Sequence, residues 1–119
     1  VNCCGAMSHE EVIAMLDDAD VFLFPSHSEG FSLALAEAMS RGLPCIATDV
    51  GANRDMLEDK GGYIVSVGDI NAIVDALAQM ANLDVRKNMS AWNIKKVKEC
   101  YTSGTVMKEI YTVYNKLCD

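Results

Sequence analysis

Two glutamates, Glu29 and Glu37, stand with seven residues between them in the stretch Ser28-Glu29-Gly30-Phe31-Ser32-Leu33-Ala34-Leu35-Ala36-Glu37. Carboxylates suit diols, because each offers two acceptor oxygens to neighbouring hydroxyl donors. Gly30 lets the main chain come close to a ligand. The helix start that follows presents unpaired N–H groups and the positive end of its dipole, a natural partner for a diphosphate. Two acids also suit a glycosidase pair, or serve as an ordinary loop acid and a solvated helix residue, and spacing alone does not separate these. His27, on the same loop, reads as a loop residue rather than a base.

Such a loop has to be delivered by a strand and taken up by a helix. Val21-Phe22-Leu23-Phe24, closed by Pro25, predicts a strand buried on both faces. A helix is expected from about Phe31 to Ser40, ending at Gly42, then a buried strand Cys45–Thr48. After a turn at Gly51 come a short helix near 53–58 and a strand 63–67 opened by Gly61-Gly62. Upstream, Ser8 and Glu11 have capping-box spacing for a helix over 9–18, with Val12, Ile13, Leu16 and Ala19 on one face. Asp69 is placed to cap a helix whose apolar stripe runs Ile70, Ile73, Ala76, Leu77, Met80. Two further helices, about 84–99 and 104–117, close the chain. The apolar stub Val1–Cys4, with no initiator Met, predicts a first strand already under way and a chain that is a fragment. Alternating strands and amphipathic helices specify an α/β, three-layer Rossmann-like parallel sheet flanked by helices. In such a sheet ligands sit beyond the carboxyl ends of the strands, where the 26–30 loop lies.

At 119 residues the chain holds one core. Net charge −7 argues against nucleic acid. Residues 1–85 hold three bases against fourteen acids, and residues 86–119 seven against three. The basic end reads as a solvated face, or as a contact for a partner or anionic lipid. Five cysteines without a histidine pair or C-x-x-C make a zinc site unexpected and point to reduced thiols in a cytoplasmic protein. No apolar run approaches the ~20 residues of a membrane span.

Several segments together resemble the carboxyl-terminal signature of glycosyltransferase family 4, the group 1 glycosyltransferases of GT-B architecture. They are Glu29-x₇-Glu37, the approach Ala19-Asp20-Val21-Phe22-Leu23-Phe24-Pro25-Ser26, Gly42-Leu43-Pro44-Cys45-Ile46-Ala47-Thr48 with Gly51, and Gly61-Gly62-Tyr63-Ile64-Val65 before Gly68-Asp69. The resemblance covers residues 1 to about 80 and implies that residues 1–119 are a partial carboxyl-terminal, nucleotide-sugar-binding domain lacking its first strands. It implies that Glu29 accepts hydrogen bonds from donor-sugar hydroxyls and is the catalytic residue of this half. Glu37 would take the ribose hydroxyls, and Gly30, Phe31, Ser32 and Leu33 would supply N–H groups to the sugar or diphosphate. Phe31 is expected to pack its side chain in the core, and Ser32 stands where glycine is common in the family. Ala52 and Asp55 depart from the family's Gly and Glu in Gly51-Ala52-Asn53-Arg54-Asp55, so Asp55 is expected to be structural and Arg54 a surface residue.

The implied reaction is transfer of a sugar from a nucleotide diphosphate, UDP-sugar by default, with retention and without metal or cofactor. The acceptor is a glycan, a lipid or a metabolite. The family's diphosphate-binding Arg and Lys, and an amino-terminal domain, would lie upstream of residue 1. The chain alone is therefore expected to be inactive and to self-associate through Tyr101, Val106, Ile110, Tyr111, Tyr114 and Leu117. Localisation follows as cytoplasmic, with peripheral membrane contact. The alternatives are a GT-B sugar-nucleotide epimerase and a non-catalytic Rossmann-like interaction module.

Overall fold

The computed structural model describes residues 1–118, the side chains of Tyr114 and Cys118 excepted, so the expectation for Tyr114 lies outside the described residues. The elements follow in the order α1 (His9–Asp18), β1 (Phe22–Phe24), α2 (Leu33–Ser40), β2 (Cys45–Thr48), α3 (Asn53–Leu57), β3 (Gly62–Val65), α4 (Ile70–Gln79), α5 (Leu83–Cys100) and α6 (Ser103–Cys118). The three strands form a parallel sheet in the order β1-β2-β3, with Phe22 opposite Cys45 and Cys45 opposite Gly62.

The strand period of two sorts the centre of the fold into two layers of core. Cys45 and Ala47 point to one face, where they meet Leu16, Leu35, Ala38, Met39, Leu43, Met56 and Leu57 from α1, α2, α3 and their connections. Ile46 points to the other, with Val65, Ala76, Met80 and Met89 beneath α4 and the start of α5. Helix α5 wraps the edge, since Val85 and Met89 serve the second layer and Trp92 and Val97 the first. Burial of this kind is worth roughly 1.5–3 kcal/mol per large apolar side chain. Cys45 sits so deep that burial pushes its thiol up to about 12, which makes it a packing residue and not a nucleophile.

Caps follow the sequence closely. The Ser8 hydroxyl accepts the Glu11 N–H and the Glu11 carboxylate accepts the Ser8 N–H, which lowers the Glu11 pKa. Asp69 caps α4 through the Ala72 N–H at 3.0 Å.

Four expectations are corrected. Val1–Cys4 is exposed and forms no strand. Leu23 is exposed at 42%, so β1 is not buried on both faces, because α4 packs on β2 and β3 and leaves the β1 end of the sheet uncovered. Ile70 and Leu77 lie outside the α4 contact line, which runs through Ala72, Ile73, Ala76 and Met80. The Phe31 side chain is not core: it is 48% exposed and meets the Tyr101 ring.

Candidate functional site

Strand β1 ends at Phe24, and Pro25, lacking an N–H, cannot extend the ladder. The loop that follows, residues 25–32, is held by the carboxyl end of the neighbouring strand. Thr48, 1% exposed at the end of β2, donates its hydroxyl to the Ser26 carbonyl at 2.5 Å. The Ala52 N–H donates to the Gly30 carbonyl at 2.9 Å. The buried Asn53 amide donates to the Thr48 carbonyl at 3.0 Å, tying the start of α3 to the same corner. Gly51 occupies the point of closest approach with φ +53°; a Cβ there would lie 2.3 Å from the Glu29 carbonyl oxygen and 2.4 Å from that of Gly30. Only glycine fits such a contact without displacing main chain.

On this clamped backbone all the expected ligand-binding residues except Ser32 keep exposed surface. Glu29 is half-buried, and the Ser26 hydroxyl donates to its Oε1 at 2.7 Å, which orients the carboxylate within the loop. Gly30 and Leu33 are exposed, Leu33 at 72%. Ser32 is buried and its hydroxyl accepts the Leu35 N–H at 3.2 Å, so the side chain caps α2 and does not face outward. That cap leaves the first-turn N–H groups of Leu33 and Ala34 without intrahelical acceptors, the normal state of a helix start. The polar hydroxyl at this family glycine position is thereby accounted for.

Helix α2 starts at Leu33, two residues later than its periodicity predicts, because Ser32 takes the cap. Glu37 is then one turn from the tip, about 6 Å along the axis. Leu35, Ala38 and Met39 take the buried side of α2, which leaves Leu33 and Glu37, four residues apart, on the outer stripe. Glu37 keeps 40% side-chain exposure, with His9 Nδ1 at 3.7 Å from its Oε1. The fold therefore gathers Glu29, Gly30, Phe31, Leu33 and Glu37 along one loop–helix junction at the carboxyl edge of the sheet.

Arg54, expected as a surface residue, forms a two-pronged ion pair with Asp49 at 3.1 and 2.8 Å and has Asp59 at 3.9 Å. The Arg54 hydrogen bonds hold Asp49 below its ordinary pKa. Asp55 is exposed on α3 and His27 is exposed on the loop. Residues 25–32, 49–52 and 66–69, the three loops at this edge, contain no lysine or arginine. A cleft of about 440 Å³ lies at the opposite edge, lined by Asp17, Arg41, Pro44, Arg86, Lys87 and Ser90 among others. Its arginines are engaged, Arg41 by both oxygens of Asp17 and Arg86 by the Met80 carbonyl.

Thr48, Gly51 and Asn53 have functions at this edge that the residue pattern does not reveal by itself. One signal was available: a threonine closing the otherwise apolar run Cys45-Ile46-Ala47 needs a buried acceptor.

Comparison with known proteins is in accord with this geometry. The chain is 30% identical over 105 residues to the capsular polysaccharide biosynthesis glycosyltransferase CapM of Staphylococcus aureus, covering 87% of this chain and 28% of CapM. The fold superposes on sucrose-phosphate synthase from Thermosynechococcus elongatus with TM-score 0.86 and 25% identity, covering 98% of this chain and 30% of that one. It superposes on the C-terminal domain of a glycosyl transferase group 1 family protein (LpcC) from Francisella tularensis with TM-score 0.74 and 25% identity, covering 87% and 53%. The chain spans about a fifth to a third of the length of the curated relatives it matches. Residues 1–97, which include all three strands and the whole loop–helix junction, match the model of "Glycosyl transferases group 1", and the chain belongs to that family.

Proposed function

We propose that this chain is the donor-binding part of a retaining glycosyltransferase of family 4, acting on a nucleotide-diphosphate sugar, with UDP-sugar as the default donor. The observation that carries the reading is the junction itself: a loop clamped main chain to main chain by Gly51 and Ala52, ending in a helix start flanked by two half-buried carboxylates. In this reading Glu29 accepts from sugar hydroxyls, with Ser26 orienting it, and Glu37 accepts from the ribose. The N–H groups of Gly30, Phe31, Ser32 and Leu33 meet the sugar or diphosphate and ease departure of the nucleoside diphosphate. The chain contributes positioning and electrostatic stabilisation, with no covalent nucleophile.

The edge loops carry no lysine or arginine, so the full negative charge of a diphosphate needs cations from chain outside these residues. Donor affinity is accordingly a property of the full-length protein, as are the acceptor (glycan, lipid or metabolite) and the amino-terminal domain that would bind it. We place the protein in the cytoplasm, in peripheral contact with membrane where the acceptor is a lipid. No helix among the described residues is long and apolar enough to cross a membrane.

The test is calorimetric titration of UDP, GDP and ADP into the full-length protein and its Glu37→Ala variant. Loss of one charge-assisted contact is expected to weaken binding by roughly ten- to hundredfold. Equal affinity in the two proteins would remove the role assigned to Glu37, and no binding by the wild type would remove the donor-site reading.

A further inference from the structure

The loop 25–32 has a third attachment, made by a side chain instead of the main chain. The Phe31 ring meets the Tyr101 ring edge to face, with centroids 5.2 Å apart and planes at 67°. Tyr101 is the residue at which α5 ends, and its N–H donates to the Val97 carbonyl at 2.9 Å. It is itself held from a second direction. The Lys96 ammonium lies 5.9 Å from the Tyr101 ring and 5.7 Å from the Trp92 ring, and it pairs with Glu58 at the end of α3. Tyr101 is thus fastened to α3 as well as to α5, while Phe31 remains 48% exposed and touches the first-layer core only through such neighbours.

Phe31 sits between the two groups on which the proposed donor site depends most. Glu29 is two residues before it and the helix tip at Leu33 two residues after. The main-chain clamps act at Ser26 and Gly30. Between the Gly30 clamp and the buried Ser32 cap, Phe31 is held by its ring against Tyr101. We propose that Tyr101 is a positioning residue for the donor site: its ring holds Phe31, and through Phe31 it aims the Glu29–Leu33 N–H groups at the nucleoside diphosphate. This rests on the donor-site reading above.

The test uses the full-length protein, titrated with whichever of UDP, GDP or ADP binds the wild type, and compares Tyr101→Leu, Tyr101→Phe and Phe31→Leu. Leucine keeps apolar volume and removes the ring edge. The aromatic contact predicts a three- to tenfold loss of affinity, as a rough range, for each leucine variant. Tyr101→Phe, which keeps the ring, should stay within about twofold of wild type. The double leucine variant should be no weaker than either single one, since both remove the same contact. Tyr101→Leu that binds like wild type while Glu37→Ala is weakened would overturn the positioning role alone, as would additive losses in the double variant. A wild type that binds none of the three nucleotides overturns both this role and the reading on which it rests. Where Tyr101→Leu does not fold, Phe31→Leu decides the matter, and unchanged affinity in that variant counts against the proposal.

Discussion

Segment 25–33 and helix α6 both put apolar side chains into solvent: Phe31 and Leu33 in the first, Val106, Ile110, Val113 and Leu117 in the second. They differ in what holds the backbone beneath. The loop is fixed by bonds to residues 22 positions away in the chain, from Thr48 to Ser26 and from Ala52 to Gly30. Helix α6 satisfies its own backbone internally, packs principally on α5, and leaves an amphipathic face with no cover among the described residues. The loop main chain is held by hydrogen bonds from β2 and the segment after it, as the proposed binding junction requires. The arm has apolar groups spaced four, three and four residues apart, the seam of a helix that pairs with another element. Exposure alone therefore does not say what a segment is for; the anchoring of its main chain does.

The contrast is broken most severely by Gly51→Ala. A methyl group 2.3 Å from one carbonyl oxygen, at positive φ, should cost about 2–4 kcal/mol in urea unfolding and abolish nucleotide binding by the full-length protein. Next is Asn93→Leu. The Asn93 amide, fully buried, donates to the Leu43 and Gly61 carbonyls, both at 2.8 Å. Removing it takes one of two hydrogen bonds from each carbonyl, leaving Gly61 the Cys45 N–H and Leu43 the weak Cys45 thiol donor, at a cost of roughly 2 kcal/mol by the same measurement.

Replacing Val106, Ile110 and Leu117 together with glutamine should change the unfolding free energy of the body by no more than about 0.5 kcal/mol. The 119-residue chain on its own is expected to self-associate through this face, and the triple variant to run as a monomer in concentration-dependent light scattering. A strictly monomeric unsubstituted chain would remove that expectation.

The smallest effect is electrostatic. Asp49 has a folded pKa below its ordinary value because of the Arg54 hydrogen bonds. Its contribution is present above the unfolded pKa and is lost as pH falls through the folded one, since the unfolded state then binds more protons. Asp49→Asn should therefore reduce stability slightly at neutral pH and flatten the acid limb below about pH 4. Because both partners are exposed, the change at neutral pH should be near the limit of detection.

Much of the architecture was legible in the residues. The Ser8 capping box, the Asp69 cap and the run Cys45–Thr48 each occur where their pattern puts them, because a cap or a strand period needs only neighbours in sequence. The segment Glu29–Glu37 was also legible as a loop feeding a helix. Its finer geometry was not: periodicity runs through Phe31 and Ser32, whereas burial of the Ser32 hydroxyl moves the helix start to Leu33. Strand β1 reads as a fully buried run, yet its place at the end of the sheet that α4 does not cover leaves Leu23 in solvent. A strand's rank within a sheet is not written in its own residues.

The sequence by itself determined the elements, their order, the alternation that makes the sheet parallel, and the candidate residues at one loop–helix junction. Tertiary structure alone decided that Thr48, Gly51 and Ala52 clamp that junction, that Phe31 turns outward onto Tyr101, and that Asn93 bridges carbonyls 50 and 32 residues away. The division has a physical cause. Caps and periodicities are interactions between residues at most about four apart, while clamps join residues whose proximity exists only after the sheet and helices have packed.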